Sequence, residues 1–274
     1  MNPGGIRVGI GGWVYEPWRS NFYPAGLVQR RELEFASRHV TAIEINGTYY
    51  GAQKPATYAK WRDEAPAGFV FSAKAPKRIT GARDLAKVGP QIDDFVGGIA
   101  ALSDKLGPLV WQFEETRALD AGALAAFLEL LPKSAGGRPL RHVLDVRERA
   151  SVGGDLLALA RRHGAATVFT DSPDYPSFAD LTADFVYARL MRTRADVGAG
   201  YPDAELQAWA ERARRWAAGG EPEGLPKLAP AEPAPARPRE VFLYFISGAK
   251  ERNPAAAMAL LRRLELGPAE AFRL

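Results

Sequence analysis

The chain has 274 residues, of which 47% are hydrophobic and 10% aromatic, enough for one large globular domain and unlike a disordered or fibrous protein. A formal net charge of +4 from 36 Lys plus Arg against 32 Asp plus Glu argues against a nucleic-acid partner, and the clusters Arg161-Arg162, Arg212 to Arg215 and Arg262-Arg263 read as solvated helix faces. The absence of cysteine excludes disulfides, thiolate metal sites and cysteine nucleophiles; with no leader-like start and no run near the ~20 apolar residues of a membrane span, a cytoplasmic protein without membrane contact is expected.

Eight apolar, β-branched or aromatic runs recur along the chain, at residues 7–11, 42–46, 69–74, 109–113, 142–147, 167–171, 185–189 and 241–245. Helical patterns lie between many of them, at residues 30–39, 89–102, 120–131, 155–163, 203–218 and 254–264, several preceded by an Asp or Asn as N-cap and the last opened by Pro254. Strand–helix alternation implies parallel strands, and eight such units close most naturally into a (β/α)8 barrel of about 250 residues. Residues 1–274 therefore read as a single TIM-type domain. Pro173 and Pro176 interrupt the short segment between the sixth and seventh strands, where a helix of one turn is expected. The Pro-, Ala- and Glu-rich stretch 219–240 reads as an extended surface loop inserted before the last strand.

Period-two alternation selects the side chains that point into the barrel. It gathers Glu44 and Asn46 in the second strand, Ser72 and Lys74 in the third, Gln112 in the fourth, Asp145 and Arg147 in the fifth, Asp171 at the end of the sixth and Arg189 in the seventh. Active residues of this fold come from strand C-terminal ends, so these groups form a candidate site at that mouth. A purely structural ion network inside the barrel is the competing reading, disfavoured because buried ion pairs contribute little stability.

Residues 11–18, Gly-Gly-Trp-Val-Tyr-Glu-Pro-Trp, follow the first strand; their aromatic rings, Trp13 first among them, either stack on a ligand or pack the loop onto the barrel. The run Gly9-Ile10-Gly11-Gly12 lacks the spacing of a dinucleotide fingerprint and reads as a tight turn. After the eighth strand, residues 247–253 from Ser247 onward lead into a helix and, with Arg189 and Arg192, could bind phosphate. Three histidines at scattered positions make a histidine metal site improbable; Glu44, Asp145 and Asp171 could hold a hard divalent cation, or could instead neutralise Lys74, Arg147 and Arg189. No cofactor is implied.

The segments Gly11 to Trp18, Glu44-Ile45-Asn46-Gly47-Thr48-Tyr49-Tyr50, Lys74-Ala75-Pro76 and Asp171-Ser172-Pro173 resemble the YecE-like family, number seventy-two among the domains of unknown function. The likeness runs in order over nearly the whole chain. It implies a barrel related to the (β/α)8 fold and no established reaction. Three positions depart from the family pattern: Asp145 precedes Val146-Arg147 where Glu is common, Met191-Arg192 replaces His-Gly, and Ile246-Ser247 replaces an Asn pair.

The residues support an enzyme, a hydrolase or lyase, acting on a small anionic, phosphorylated or hydroxylated substrate. In that reading Glu44, Asp145, Asp171 and Lys74 are catalytic, and Trp13, Asn46, Gln112, Arg147, Arg189 and Ser247 bind substrate. Lys74 could form a Schiff base, although the surrounding carboxylates favour an ion-paired lysine of ordinary pKa. The alternative is a non-catalytic binder of a phosphorylated metabolite or nucleic acid.

Overall fold

Alternation shapes the first strand, β1 (Ile6–Gly11), in which Val8 and Ile10 are sealed under the helices while Gly9 and Gly11 face the barrel interior. In the computed structural model, which describes residues 5–267, seven more strands follow: β2 (Ala42–Ile45), β3 (Val70–Lys74), β4 (Leu106–Phe113), β5 (His142–Val146), β6 (Ala166–Thr170), β7 (Phe185–Leu190) and β8 (Glu240–Phe245). All pair in parallel in chain order, and β8 pairs with β1 to close the barrel. Each expected strand is present. The ends of the expected span 1–274 lie outside the described residues.

Two apolar cores result from the alternation. Outward-facing residues such as Ile43, Phe71, Trp111 and Leu144 pack under the helices, while Val110, Val143, Val168, Tyr187 and Tyr244 fill the barrel. Gly9 is required by proximity: a Cβ there would stand 2.2 Å from the Ala42 carbonyl oxygen. The expected glycine turn thus shrinks to Gly12, whose φ of +74° a side chain would strain.

The helical layer comprises α1 (Glu32–Ser37), α2 (Pro55–Glu64), the single turn α3 (Lys77–Thr80), α4 (Gly89–Ile99), α5 (Ala121–Leu130), α6 (Gly154–His163), α7 (Asp203–Ala217) and α8 (Asn253–Leu264). Helix α2 has no counterpart among the expected helices, because its apolar face amounts to Tyr58, which is buried, and Trp61. Of the expected acidic and amide caps, Asp120 accepts from the Ala123 N–H at 2.8 Å, whereas Asp203 and Asn253 lie within the first turns of α7 and α8. None of these helices is long and apolar enough to cross a membrane, among the described residues.

Between β6 and β7 the structure corrects the sequence: no helical turn forms. The proline-rich insertion takes that place in the layer. The Pro226 carbonyl accepts from the Ala179 N–H at 2.8 Å, and the Asp180 carboxylate accepts from the Leu228 and Ala229 N–H groups at 2.7 and 2.9 Å. Two extended segments without helical hydrogen bonds of their own satisfy each other. Buried Arg239 clasps the insertion, donating to the Gly219 carbonyl at 2.8 Å and to the Pro235 carbonyl. The insertion is therefore docked rather than loosely extended.

Candidate active site

Strand alternation delivers Glu44, Lys74, Gln112, Asp145 and Arg189 to one face, and the register sets them side by side: Gln112 opposite Asp145, Glu44 opposite Ser72, and Lys74 opposite Val110. Arg189 is the centre of one half of the mouth. Its Nε and Nη2 donate to Glu44 Oε2 and Oε1 at 2.9 and 2.8 Å, and its Nη1 donates to Asp145 Oδ2 at 2.5 Å. The Tyr187 hydroxyl adds a 2.6 Å bond to Glu44 Oε2, and Arg147 Nε reaches Asp145 Oδ2 at 3.3 Å. Glu44 is 0% exposed, so both its oxygens are consumed inside the protein. Below it, the Tyr244 and Ser72 hydroxyls share a 2.6 Å hydrogen bond.

The other half of the mouth is differently arranged. Among the described residues the Lys74 Nζ makes no hydrogen bond or ion pair; it lies 4.0 Å from the centroid of the Tyr49 ring. Burial, reinforced by the Arg189 and Arg147 charges, outweighs the attraction of Glu44 and Asp145 and pushes the Lys74 pKa down to about 8. The expected ion-paired lysine is not what forms, because the arginines take the carboxylates.

Beside Lys74, the Tyr49 hydroxyl donates to Glu114 Oε1, and Gln112 Nε2 donates to the same oxygen at 2.6 Å. Burial raises the Glu114 pKa, but these two hydrogen bonds and the Arg147 and Lys74 charges prevail and leave it below the usual value. With its amide nitrogen on Glu114, Gln112 has a fixed orientation, and its Oε1 is buried without a donor. The residue is 3% exposed, so that oxygen is a buried acceptor that a donor from a ligand or a water would satisfy.

Other expected site residues go elsewhere. Asp171 is one position beyond Thr170, and with Val168 lining the barrel interior it falls on the opposite parity. Its Oδ1 accepts from the Met191 N–H and its Oδ2 from the Tyr201 hydroxyl, both at 2.6 Å, so it braces the loop after β7. Trp13 stands edge-on to Trp61 at 4.9 Å and to Phe71 at 6.4 Å, packing the loop onto the helix side. Asn46 rests over Gly11, where a Cβ would come within 2.9 Å of its amide nitrogen.

Ser247 offers its carbonyl to the Asn253 side chain at 3.3 Å. The loops after β7 and β8 are bound to each other through Thr193, whose hydroxyl lies 2.8 Å from Asn253 Oδ1. Arg189 is spent on Glu44 and Asp145, so the expected phosphate site loses one of its cations. No group of three His, Cys, Asp or Glu side chains suited to a metal ion occurs among the described residues.

Tyr187, Tyr49 and Glu114 were not among the expected site residues. Tyr187 shares the parity of Arg189, and Glu114 that of Gln112, so alternation could have found both.

These features define a closed (β/α)8 barrel with a buried ion cluster and an unpaired lysine at its C-terminal mouth. The chain belongs to the family described as "Protein of unknown function DUF72", which matches residues 7–272. That agrees with the resemblance read from its motifs. The curated UPF0759 protein YunF of Bacillus subtilis (strain 168) is 29% identical over 76 residues, 28% of this chain and 26% of that protein, so the match spans about a quarter of its length. A DUF72 family protein from Thermotoga maritima superposes with a TM-score of 0.72 at 17% identity, covering 95% of this chain and 99% of that one. D-psicose 3-epimerase, solved in the presence of D-fructose, shares the fold at a TM-score of 0.51 and 12% identity over 94% of this chain and 96% of its own.

Proposed function

We propose that this protein is an enzyme, a hydrolase or lyase, acting on a small anionic or hydroxylated molecule at the C-terminal mouth of the barrel. One observation carries the reading: among the described residues Lys74 Nζ, over the Tyr49 ring, has no hydrogen-bond or ion-pair partner and Gln112 Oε1 has no donor, while Tyr49 and Gln112 hold the same Glu114 oxygen. Leaving both unsatisfied costs stability, and a ligand that supplies the missing partners recovers it. The same asymmetry assigns roles. Glu44 and Asp145 hold Arg189 rather than move protons; Lys74 and Glu114 transfer protons, Arg147 attracts the anionic group, and Gln112 accepts a substrate hydroxyl. That D-psicose 3-epimerase was solved with a sugar on a similar barrel fits a small hydroxylated ligand.

Calorimetry against a panel of hydroxy acids, 2-oxo acids and sugar phosphates tests this, with hits followed by NMR for product. Binding is expected to weaken roughly tenfold or more in Arg147→Ala and Gln112→Ala. Failure of every panel member to bind, or binding indifferent to both substitutions, sinks the proposal. Binding without product would make the protein a non-catalytic binder instead.

A further inference from the structure

The cluster raises a question of chemistry: why an amine is kept free among carboxylates that could have neutralised it. Arg189 occupies both oxygens of Glu44 and one of Asp145, and Arg147 takes the same Asp145 oxygen. The arginines shield Lys74 from pairing. Its amine lies on the Tyr49 ring, and the Tyr49 hydroxyl leads to Glu114. An amine desolvated beside other cations, with a carboxylate one hydrogen bond beyond the ring it rests on, is the arrangement of a carbonyl-attacking lysine.

Resting on the functional reading above, we propose that Lys74 forms a Schiff base with an anionic carbonyl compound that carries a hydroxyl group. Glu114 takes one proton from the Lys74 ammonium. The free amine then attacks the carbonyl carbon: a C–N bond forms, and the π electrons move to oxygen. A proton passes from nitrogen to that oxygen, giving a carbinolamine. Glu114 returns its proton to the hydroxyl, which leaves as water while the nitrogen lone pair forms C=N. Ammonium plus carbonyl thus becomes protonated imine plus water, with no external oxidant, reductant or metal. Arg147 holds the anionic group, and the substrate hydroxyl donates to Gln112 Oε1. The imine makes the adjacent carbon bond labile, which places the reaction in the lyase class.

Borohydride trapping of the full chain with hydroxypyruvate and with dihydroxyacetone phosphate tests the idea, the two probes separating carboxylate from phosphate recognition. Expected at pH 7 is one reduced adduct by intact mass, mapped to the peptide containing Lys74. With a pKa of about 8, Lys74 holds on the order of 10²-fold more free amine at pH 7 than an ordinary lysine, and should label correspondingly earlier. The adduct should vanish in Lys74→Arg, which keeps the charge and protects against a folding artefact. Gln112→Leu, which also removes a hydrogen bond to Glu114, should slow trapping of hydroxypyruvate about tenfold more than it slows trapping of pyruvate, which lacks the hydroxyl. Arg147-dependent binding of a probe with no adduct, or adducts that survive Lys74→Arg, overturns the Schiff base while the mouth remains a ligand site. No probe binding and no adduct overturns both readings.

Discussion

Two cations, one buried and one half-buried, sit in one mouth and live differently. Arg189 is 2% exposed and bonded through all three of its nitrogens, gripped by Glu44, Asp145 and, through Glu44, by Tyr187; Lys74 has only an aromatic ring beneath it. A planar guanidinium with five donors can bind two carboxylates at once, whereas an ammonium in the same place competes poorly for them. The charges that neutralise one cation are thereby denied to the other. One half of the mouth is a clamp, and the other is left reactive.

That contrast is open to breakage. Arg189→Met should cost about 3–5 kcal/mol of unfolding free energy in urea, since it leaves buried Glu44 without a cation and Asp145 with Arg147 alone. A cost below ~1 kcal/mol would show the clamp to be dispensable. The opposite sign is expected across the mouth: Lys74→Met should stabilise the protein by about 1–3.5 kcal/mol at pH 7, the upper end being the full fall from 10.5 to about 8 at roughly 1.4 kcal/mol per unit.

The sign follows from proton counting. Between the folded value near 8 and the unfolded value near 10.5, the unfolded chain binds a proton at Lys74 that the folded chain does not, so wild-type stability rises with pH there. The advantage of Lys74→Met should therefore shrink from pH 8 to pH 10.5, and a constant gap would contradict a free, desolvated amine.

Smaller effects sharpen the boundary of the site. Asp171→Asn should destabilise by about 1–2 kcal/mol through weakened bonds to Met191 and Tyr201, without altering the affinity of any mouth ligand. Trp13→Phe, which trims one edge-on contact with Trp61, should cost about 0.5–1.5 kcal/mol and likewise spare binding. A ligand affinity that moved with either residue would extend the site beyond the inward-facing residues of the mouth.

Much of the fold was legible because it rests on local signals. Every barrel strand carries its own apolar run, and all eight appear in the structure. What escaped was contextual. Helix α2 has too few buried residues to announce itself, and the segment 172–184 forms no helix because Pro173 and Pro176 break its first half and the insertion 219–240 supplies hydrogen-bond partners to Ala179 and Asp180 from afar. The site was half legible for the same reason: parity placed Glu44, Lys74, Gln112, Asp145 and Arg189 together, whereas Asp171, attached to a strand end by proximity in sequence, stands on the other face.

The sequence by itself determined the barrel, the order of its strands and the identity of the charged groups at its mouth, since strand pattern and side-chain parity repeat every two residues along a local chain. Only the tertiary structure decided who pairs with whom. Arg189 meets Glu44 across 145 residues of chain and Asp145 across 44, and no local pattern encodes which of three cations wins two carboxylates. Donor number, reach and desolvation settle that competition after the barrel closes, and they leave Lys74 as the amine without a carboxylate partner.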